Sequence, residues 1–79
     1  MKLKIRAEEL RRRRLMAGLS QEELATKTDG IVSSSAISKL EVLGGGIWPK
    51  TARSLAAALN CGIEDIAEFV LDDAEEVTA

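Results

Sequence analysis

The sequence predicts a small all-α domain of five short helices. Apolar residues recur at positions i, i+3, i+4 and i+7 in residues 52–59 and again in residues 63–70, while alternating runs typical of strands are scarce. The only aromatic side chains among 79 residues are Trp48 and Phe69, so aliphatic residues must build the core. A chain of this length holds one core, and chains this small often gain stability by oligomerising.

The N-terminal residues divide into a basic segment and a first helix. Residues 1–6 alternate basic and apolar side chains, which fits a flexible arm, a strand that pairs with a partner subunit, or a frayed terminus. The first helix is expected over residues 7–17, with Leu10 on its core face together with Met16 or Ala17.

Residues 19–41 predict two short helices joined by a turn. Ser20 and Glu23 have the spacing of a capping box, in which each satisfies a backbone N–H at the start of a helix. Asp29-Gly30 ends that helix, and residues 33–35, all serine, begin the next one. Ala25 is small where the two helices should cross. The pair therefore predicts a helix-turn-helix unit.

The C-terminal half predicts a glycine-rich loop and two more helices. A loop with three consecutive glycines is expected over residues 42–48, and Trp48, on or beside it, could pack in the core, against a DNA backbone or against a partner. The fourth helix is expected from Lys50 or Thr51 to Leu59, with Thr51 as its N-cap, and a fifth follows over residues 63–70.

The end of the chain supplies candidates for a dimer contact. Phe69 and Leu71 fall off the apolar stripe of the fifth helix, so they are the expected contact residues, although Phe69 could also cap the core. Residues 72–79 are acidic and are expected to be a disordered tail. The domain itself is therefore expected over residues 7–71.

The motif S-Q-E-E-L-A at residues 20–25, followed by S-x-x-x-I-S-K-L-E at residues 33–41, resembles the helix-turn-helix of the Cro/phage-repressor family, also called the xenobiotic-response-element (XRE) family. The resemblance extends over roughly residues 10–66. It implies a lambda-repressor-like fold in a small transcriptional regulator, repressor or Cro-like. Such a protein binds double-stranded DNA at a pseudo-palindromic operator as a homodimer.

The resemblance also implies roles for individual residues. Arg14 matches an arginine that pairs with the glutamate closing the third helix, here Glu41, as a structural clasp. Gln21 and Lys39 are the strongest candidates for base recognition, because serine hydroxyls discriminate bases weakly. The DNA-binding positions implied are Gln21, Ser33, Ser34, Ser35, Ser38, Lys39, Lys50 and Thr51.

Two insertions distinguish the chain from the family pattern. Residues 25–37 span two more residues than usual, which lengthens the turn before the recognition helix. Residues 41–49 are longer by one or two, which relaxes the loop that usually meets the DNA backbone. Because both lie on the implied DNA face, we expect either a distinct operator or a lost one.

Net charge is −2 and the pI is about 5.1, which taken alone argues against a nucleic-acid binder. The charges are nevertheless segregated, with a balance of +5 in residues 1–14 and −7 in residues 60–79. DNA responds to the field of the docked face rather than to the total charge. DNA binding therefore stays open.

The composition disfavours an enzyme. The chain has no histidine and a single cysteine, so it lacks an imidazole base and the side chains of a typical zinc site, and we expect no cofactor and no metal. Cys61 is expected to be an inert core thiol. The absence of a signal peptide and of any apolar run near the roughly 18 residues of a membrane span favours a cytoplasmic protein.

One alternative from another class stays open. The chain could keep the helix-turn-helix fold and bind another protein without touching DNA, through an apolar patch of Trp48, Phe69 and Leu71. The weak serine-rich helix and the negative net charge favour this hypothesis, whereas Gln21 and Lys50 oppose it.

Overall fold

Five helices and three strands make up residues 2–70, the part of the chain that the computed structural model describes. The predicted helices are present, but the all-α class is wrong because a small antiparallel sheet joins the two ends of the domain. Leu71 and the acidic tail, residues 72–79, lie outside the described residues. The elements are β1 (Lys2–Ile5), α1 (Ala7–Met16), α2 (Gln21–Lys27), α3 (Ser34–Leu43), β2 (Gly45–Ile47), α4 (Pro49–Ala58), α5 (Ile63–Ile66) and β3 (Ala67–Val70).

The sheet has the order β2-β1-β3, with β1 antiparallel to both neighbours. Leu3 lies opposite Ile47 on one side and Phe69 on the other. Leu3 and Ile5 are buried and Lys4 is exposed, as the two-residue period of a half-buried strand requires. The N-terminal segment is therefore neither a free arm nor a strand donated to a partner, because its pairing partners lie within its own chain.

The fifth helix is shorter than predicted. It ends at Ile66, whose carbonyl accepts a hydrogen bond from the Arg6 N–H at 2.7 Å, and the chain continues as β3. Ala67 is buried and Glu68 is exposed, so this segment alternates as a strand does. Four residues satisfy a helical and a strand period equally well, and the available edge of β1 decides between them.

The glycine run after α3 is also a structured segment. Gly44 ends α3 as predicted, with a φ of +66°, and Gly45 has a φ of +103°. Gly45–Ile47 then pairs with β1. The loop predicted there is wrong, because the added residues form the strand that closes the sheet.

A single apolar core lies between the helices and one face of the sheet. The prediction for Leu10 is confirmed, since its side chain is fully buried, whereas Met16 and Ala17 are exposed because α1 turns their side of the helix to solvent. The largest fully buried side chains are Leu10, Leu24, Ile37, Leu55 and Ile66.

Local signals set most helix starts. The Ser20–Glu23 capping box is present, with the Glu23 N–H donating to Ser20 Oγ at 3.0 Å and the Ser20 N–H to Glu23 Oε1 at 2.9 Å. Helix α4 begins earlier than predicted, with Trp48 and not Thr51 at its N-cap. Pro49 explains the difference, because its fixed φ suits the first helical position and holds the preceding residue extended.

Candidate nucleic-acid interface

A cluster of three side chains joins the first three helices. Arg14 on α1 donates from Nε and Nη2 to the two carboxylate oxygens of Glu41 on α3, at 2.6 Å and 2.9 Å, and from Nη1 to the Leu19 carbonyl at 2.8 Å. Gln21, the first residue of α2, donates from Nε2 to Glu41 Oε1 at 3.2 Å. The Arg14–Glu41 pair implied by the resemblance is thus formed, and Gln21 joins it.

The surroundings of Glu41 keep it ionised. Its side chain is 3% exposed and that of Arg14 is 10% exposed. Burial is the largest single influence and raises the pKa of Glu41, but the hydrogen bonds from Arg14 and Gln21 and the charges of Arg14 and Arg11 together outweigh it, so the pKa is lowered. The hydrogen bond to Glu41 likewise raises the pKa of Arg14. The pair is therefore charged at neutral pH.

The lengthened turn between α2 and α3 is held by a residue that the sequence did not single out. Thr28 is buried, and its hydroxyl donates to the Ala25 carbonyl at 2.7 Å and accepts from the Val32 N–H at 3.1 Å. Val32 is itself buried in the core. Asp29 and Gly30 between them have φ values of +57° and +79°. The two additional residues therefore form an ordered turn that sets the start of α3.

The serines of α3 differ in what they can offer to DNA. Ser33 is the N-cap, and its hydroxyl accepts from the Ala36 N–H at 3.1 Å. Ser34 and Ser38 are half-buried, whereas Ser35 and Lys39, one turn apart, are exposed. Ser35 and Lys39 are therefore the predicted residues of this helix with the most accessible polar groups.

A groove of about 450 Å³, here called the α3–α4 groove, lies between α3 and the start of α4. It brings together the predicted residues Ser33, Lys39 and Thr51 beside the exposed ring of Trp48. Lys50 is exposed on the first turn of α4. The groove is lined by Gly30, Ile31, Val32, Ser33, Ala36, Lys39, Leu40, Gly46, Ile47, Trp48 and Thr51, none of which is acidic.

The segregated charges of the sequence partly neutralise each other inside the fold. Arg6 lies 3.9 Å from Glu68, and Arg13 lies 3.6 Å from Asp65. Acidic residues of the C-terminal part thus pair with arginines of the N-terminal part, away from the α3–α4 groove. None of these four residues lines the α3–α4 groove, so the net charge of the chain does not describe the charge of that groove.

The family model described as helix-turn-helix matches residues 10–66, which run from within α1 to the end of α5. The chain belongs to the Cro/C1-type (XRE) helix-turn-helix family. This is a family of DNA-binding transcription regulators, and the matched residues contain α2 and α3, the two helices joined by a turn. Comparison with curated proteins and with solved structures gave no match.

Within this family fold, α3 carries two exposed apolar residues that the sequence predictions missed. Val42 is 76% exposed and Leu43 is 78% exposed, and Trp48 beyond them is 80% exposed. Core packing of Trp48 is therefore wrong. The spacing of the sequence could have predicted the exposure of Val42. Residues three apart lie on the same side of a helix, so Val42 lies on the side that carries the exposed Lys39.

Three further properties of residues 2–70 concern metal binding, membrane insertion and the reactivity of the Cys61 thiol. In this part of the chain, no group of three His, Cys, Asp or Glu side chains is placed to hold a metal ion, and no helix is long and apolar enough to cross a membrane. Cys61 is a free thiol packed against the core, and burial raises its pKa, which lowers its reactivity.

Proposed function

We propose that the protein is a transcriptional regulator that recognises a pseudo-palindromic operator as a homodimer, in the cytoplasm, without catalysing a reaction. The observation that carries the proposal is the α3–α4 groove, where Lys39 is the one charged lining residue. A groove without carboxylates can approach the phosphate backbone without like-charge repulsion, even in a chain of net charge −2.

The start of α4 supplies the phosphate contact in this proposal. Pro49 has no N–H, but the N–H groups of Lys50 and Thr51 belong to the first turn, where the helix provides no partner. Those groups and the positive end of a ten-residue helix favour an anion, and the Lys50 ammonium adds a charge. Trp48 at the N-cap can pack against the adjacent sugar.

Base recognition rests on Lys39 and Gln21. Lys39 is exposed one turn after Ser35, where it can reach a guanine edge or a phosphate. The side-chain amide of Gln21 donates one N–H to Glu41, and its side-chain carbonyl oxygen accepts no hydrogen bond within residues 2–70. The carboxylate thus orients the amide, and the free carbonyl can accept from a base.

The test is binding to random-sequence duplex DNA across a salt series, followed by selection of the bound sequences. We expect a steep loss of affinity with salt and an enriched two-fold-symmetric motif. Lys39→Ala should lower affinity by about 1–3 kcal/mol if it reads a base, or lower the salt slope by about one if it contacts a phosphate.

Lys27→Ala is the matched control, because Lys27 is an exposed lysine at the opposite end of α2 from Gln21. Its affinity for the selected DNA should stay at the wild-type value. Absence of salt-dependent binding at low salt would refute the proposal, and equal losses in both lysine variants would refute the assigned face.

A second candidate is a protein-interaction module of the same fold. The exposed side chains of Val42, Leu43 and Trp48 favour it, because large apolar side chains left open to solvent can serve as protein contacts. These residues differ from the predicted patch of Trp48, Phe69 and Leu71. Strand β1 lies between β2, which directly precedes Trp48, and β3, which carries Phe69. Flow through a heparin column at low salt would favour this candidate, and salt-sensitive retention would favour DNA binding.

A further inference from the structure

Much of the α3–α4 groove is lined by apolar side chains, which the proposed DNA contacts leave without a role. Six of its eleven lining residues are apolar: Ile31, Val32, Ala36, Leu40, Ile47 and Trp48. Ile31 is 47% exposed and Trp48 is 80% exposed, so part of this wall is open to solvent. Phosphates and base edges are mostly polar and gain little from such a wall. Exposed apolar side chains around a groove with a few polar groups are instead typical of a ligand site.

Within residues 2–70, the groove offers one unpaired cation and one free hydroxyl. No carboxylate of this part of the chain pairs with the Lys39 ammonium. The Thr51 hydroxyl forms no hydrogen bond there either, whereas the Ser33 hydroxyl accepts from the Ala36 N–H at 3.1 Å. None of the lining residues is acidic. A ligand that suits both the walls and these two groups therefore has an apolar body and one anionic end.

We propose that the α3–α4 groove binds a small amphipathic organic anion, with an apolar body and a single carboxylate. The groove volume of about 450 Å³ lies within the range of roughly 300–1,000 Å³ that is usual for small-molecule sites. The body lies against the walls supplied by Leu40 and Ile47, and the exposed ring of Trp48 covers it. The carboxylate pairs with the Lys39 ammonium and accepts a hydrogen bond from the Thr51 hydroxyl, which lines the same groove.

The ligand and DNA would exclude each other, because Lys39 and Thr51 are also among the proposed DNA contacts. This regulatory consequence rests on the proposed function, whereas binding of the ligand itself does not. At a free ligand concentration about ten times its dissociation constant, mass action should raise the apparent dissociation constant for the selected DNA at least about tenfold. The ligand would thus release the protein from its operator.

Trp48 reports directly on the groove, because it is the only tryptophan of the chain. The test is titration of the full chain with decanoate, without DNA and at neutral pH, followed by tryptophan emission. We expect a saturable blue shift, because the ligand removes water from the ring, with a dissociation constant of about 1 mM or lower. Acetate carries the carboxylate alone, and decyltrimethylammonium carries the same alkyl chain with the opposite charge. Neither should produce that shift at the same concentration and ionic strength.

The three probes separate this proposal from other occupants of the groove. No saturable shift up to about 10 mM decanoate would overturn the proposal and would leave the apolar walls to a protein segment. An equal shift with decyltrimethylammonium would refute selection of an anion by Lys39. An equal shift with acetate would refute a role for the apolar walls, because a bare anion would then suffice.

Two pairs of variants test the assigned residues. Lys39→Met removes the charge and keeps an unbranched side chain, so it should weaken decanoate binding at least about tenfold. Its control is Lys27→Met, because Lys27 is an exposed lysine of α2 that does not line the groove. Ile31→Glu should abolish binding by adding a carboxylate to the exposed wall, and its control is Met16→Glu at a 72% exposed position of α1. Equal effects within either pair, in variants that melt at the wild-type temperature, would refute the assigned groove.

Competition is tested separately, by measuring affinity for the selected DNA with and without decanoate at matched ionic strength. We expect the rise of about tenfold in the dissociation constant given above. An unchanged affinity for DNA in a protein that binds decanoate would overturn the competition. If the protein bound no DNA at any salt concentration, the proposed function would fail, and the Trp48 titration alone would decide whether the groove binds the anion.

Discussion

Arg14 and Glu41 are 27 residues apart in the chain and are joined by two hydrogen bonds of 2.6 Å and 2.9 Å. The same carboxylate accepts from Gln21, so α1, α2 and α3 meet at one buried charge. The orientation of α3 relative to α1 and α2 therefore depends on a charge-assisted cluster and not on apolar packing alone.

Arg14→Ala should destabilise the protein strongly, because it leaves Glu41 buried without its counter-charge. The expected loss is about 3–5 kcal/mol of unfolding free energy, measured by urea denaturation. Arg14→Lys should lose less, since it keeps the charge but not the two-pronged geometry. Arg12→Ala is the control, because the Arg12–Glu9 pair is exposed and should contribute less than about 1 kcal/mol. Similar losses for Arg14→Ala and Arg12→Ala would contradict a structural role for the cluster.

Stability should depend on pH through Glu41. Its pKa is lowered in the folded protein, so its contribution is fully present above the unfolded value of about 4.3 and is lost as pH falls through the lower folded pKa. The unfolding free energies of the wild type and Glu41→Gln should therefore differ by a constant amount near pH 7. That difference should shrink as the solution is acidified below about pH 4.3.

Urea denaturation of both proteins between neutral and acidic pH measures this difference. The pKa of Glu23 is also lowered, mainly by its hydrogen bond from the Ser20 backbone, but Glu23 is present in both proteins and cancels in the comparison. A difference that widened on acidification would mean that Glu41 is protonated in the folded state.

Thr28→Val should disorder the turn that begins α3. Valine has nearly the same shape but no hydroxyl, so the buried Val32 N–H would lose its partner at a cost of about 1–3 kcal/mol, whereas the Ala25 carbonyl would keep its hydrogen bond from the Thr28 N–H. Thr28→Ser keeps the hydroxyl and should cost less. Urea denaturation measures stability, and binding to the selected DNA measures affinity. We expect the valine variant to be less stable and to bind that DNA more weakly. Equal effects of the two substitutions would mean that packing of the methyl group holds the turn.

Local signals explain what could be predicted of the fold. The capping box of Ser20 and Glu23 lies within one turn, so it can be found without knowing what the helix packs against. The sheet could not be found in this way, because β1 and β3 come from opposite ends of the described chain. Each strand has only four residues, and such a segment also fits a helical period. The pairing decides the structure, and it is a non-local property.

The candidate site shows the same division. The pairing of Arg14 with Glu41 was available from the resemblance to the family, because both positions lie within the residues that the resemblance covers. The burial of Thr28 and the exposure of Trp48 were not available, since each depends on the three-dimensional course of a segment that is longer than the family pattern. Threonine in a turn and tryptophan beside a loop each fit several environments.

Gly44→Ala should test how the end of α3 is coupled to the sheet. Gly44 has a φ of +66° and a ψ of −137°, a conformation that residues with a Cβ rarely adopt. An added Cβ would also lie 3.3 Å from the backbone oxygen of Ile5, which cannot move without disturbing β1. We expect a loss of about 1–3 kcal/mol in unfolding free energy.

Gly46→Ala is the matched control for that substitution. Gly46 is two residues further along, its φ is not positive, and a Cβ there would meet only the Leu3 oxygen at 3.8 Å, an ordinary contact distance. Alanine at this position should leave stability nearly unchanged, because the lower backbone entropy of the unfolded chain offsets small packing changes. Urea denaturation of both variants measures the difference. If Gly44→Ala were as stable as Gly46→Ala, the positive φ at the end of α3 would not be required for α3 to lead into β2.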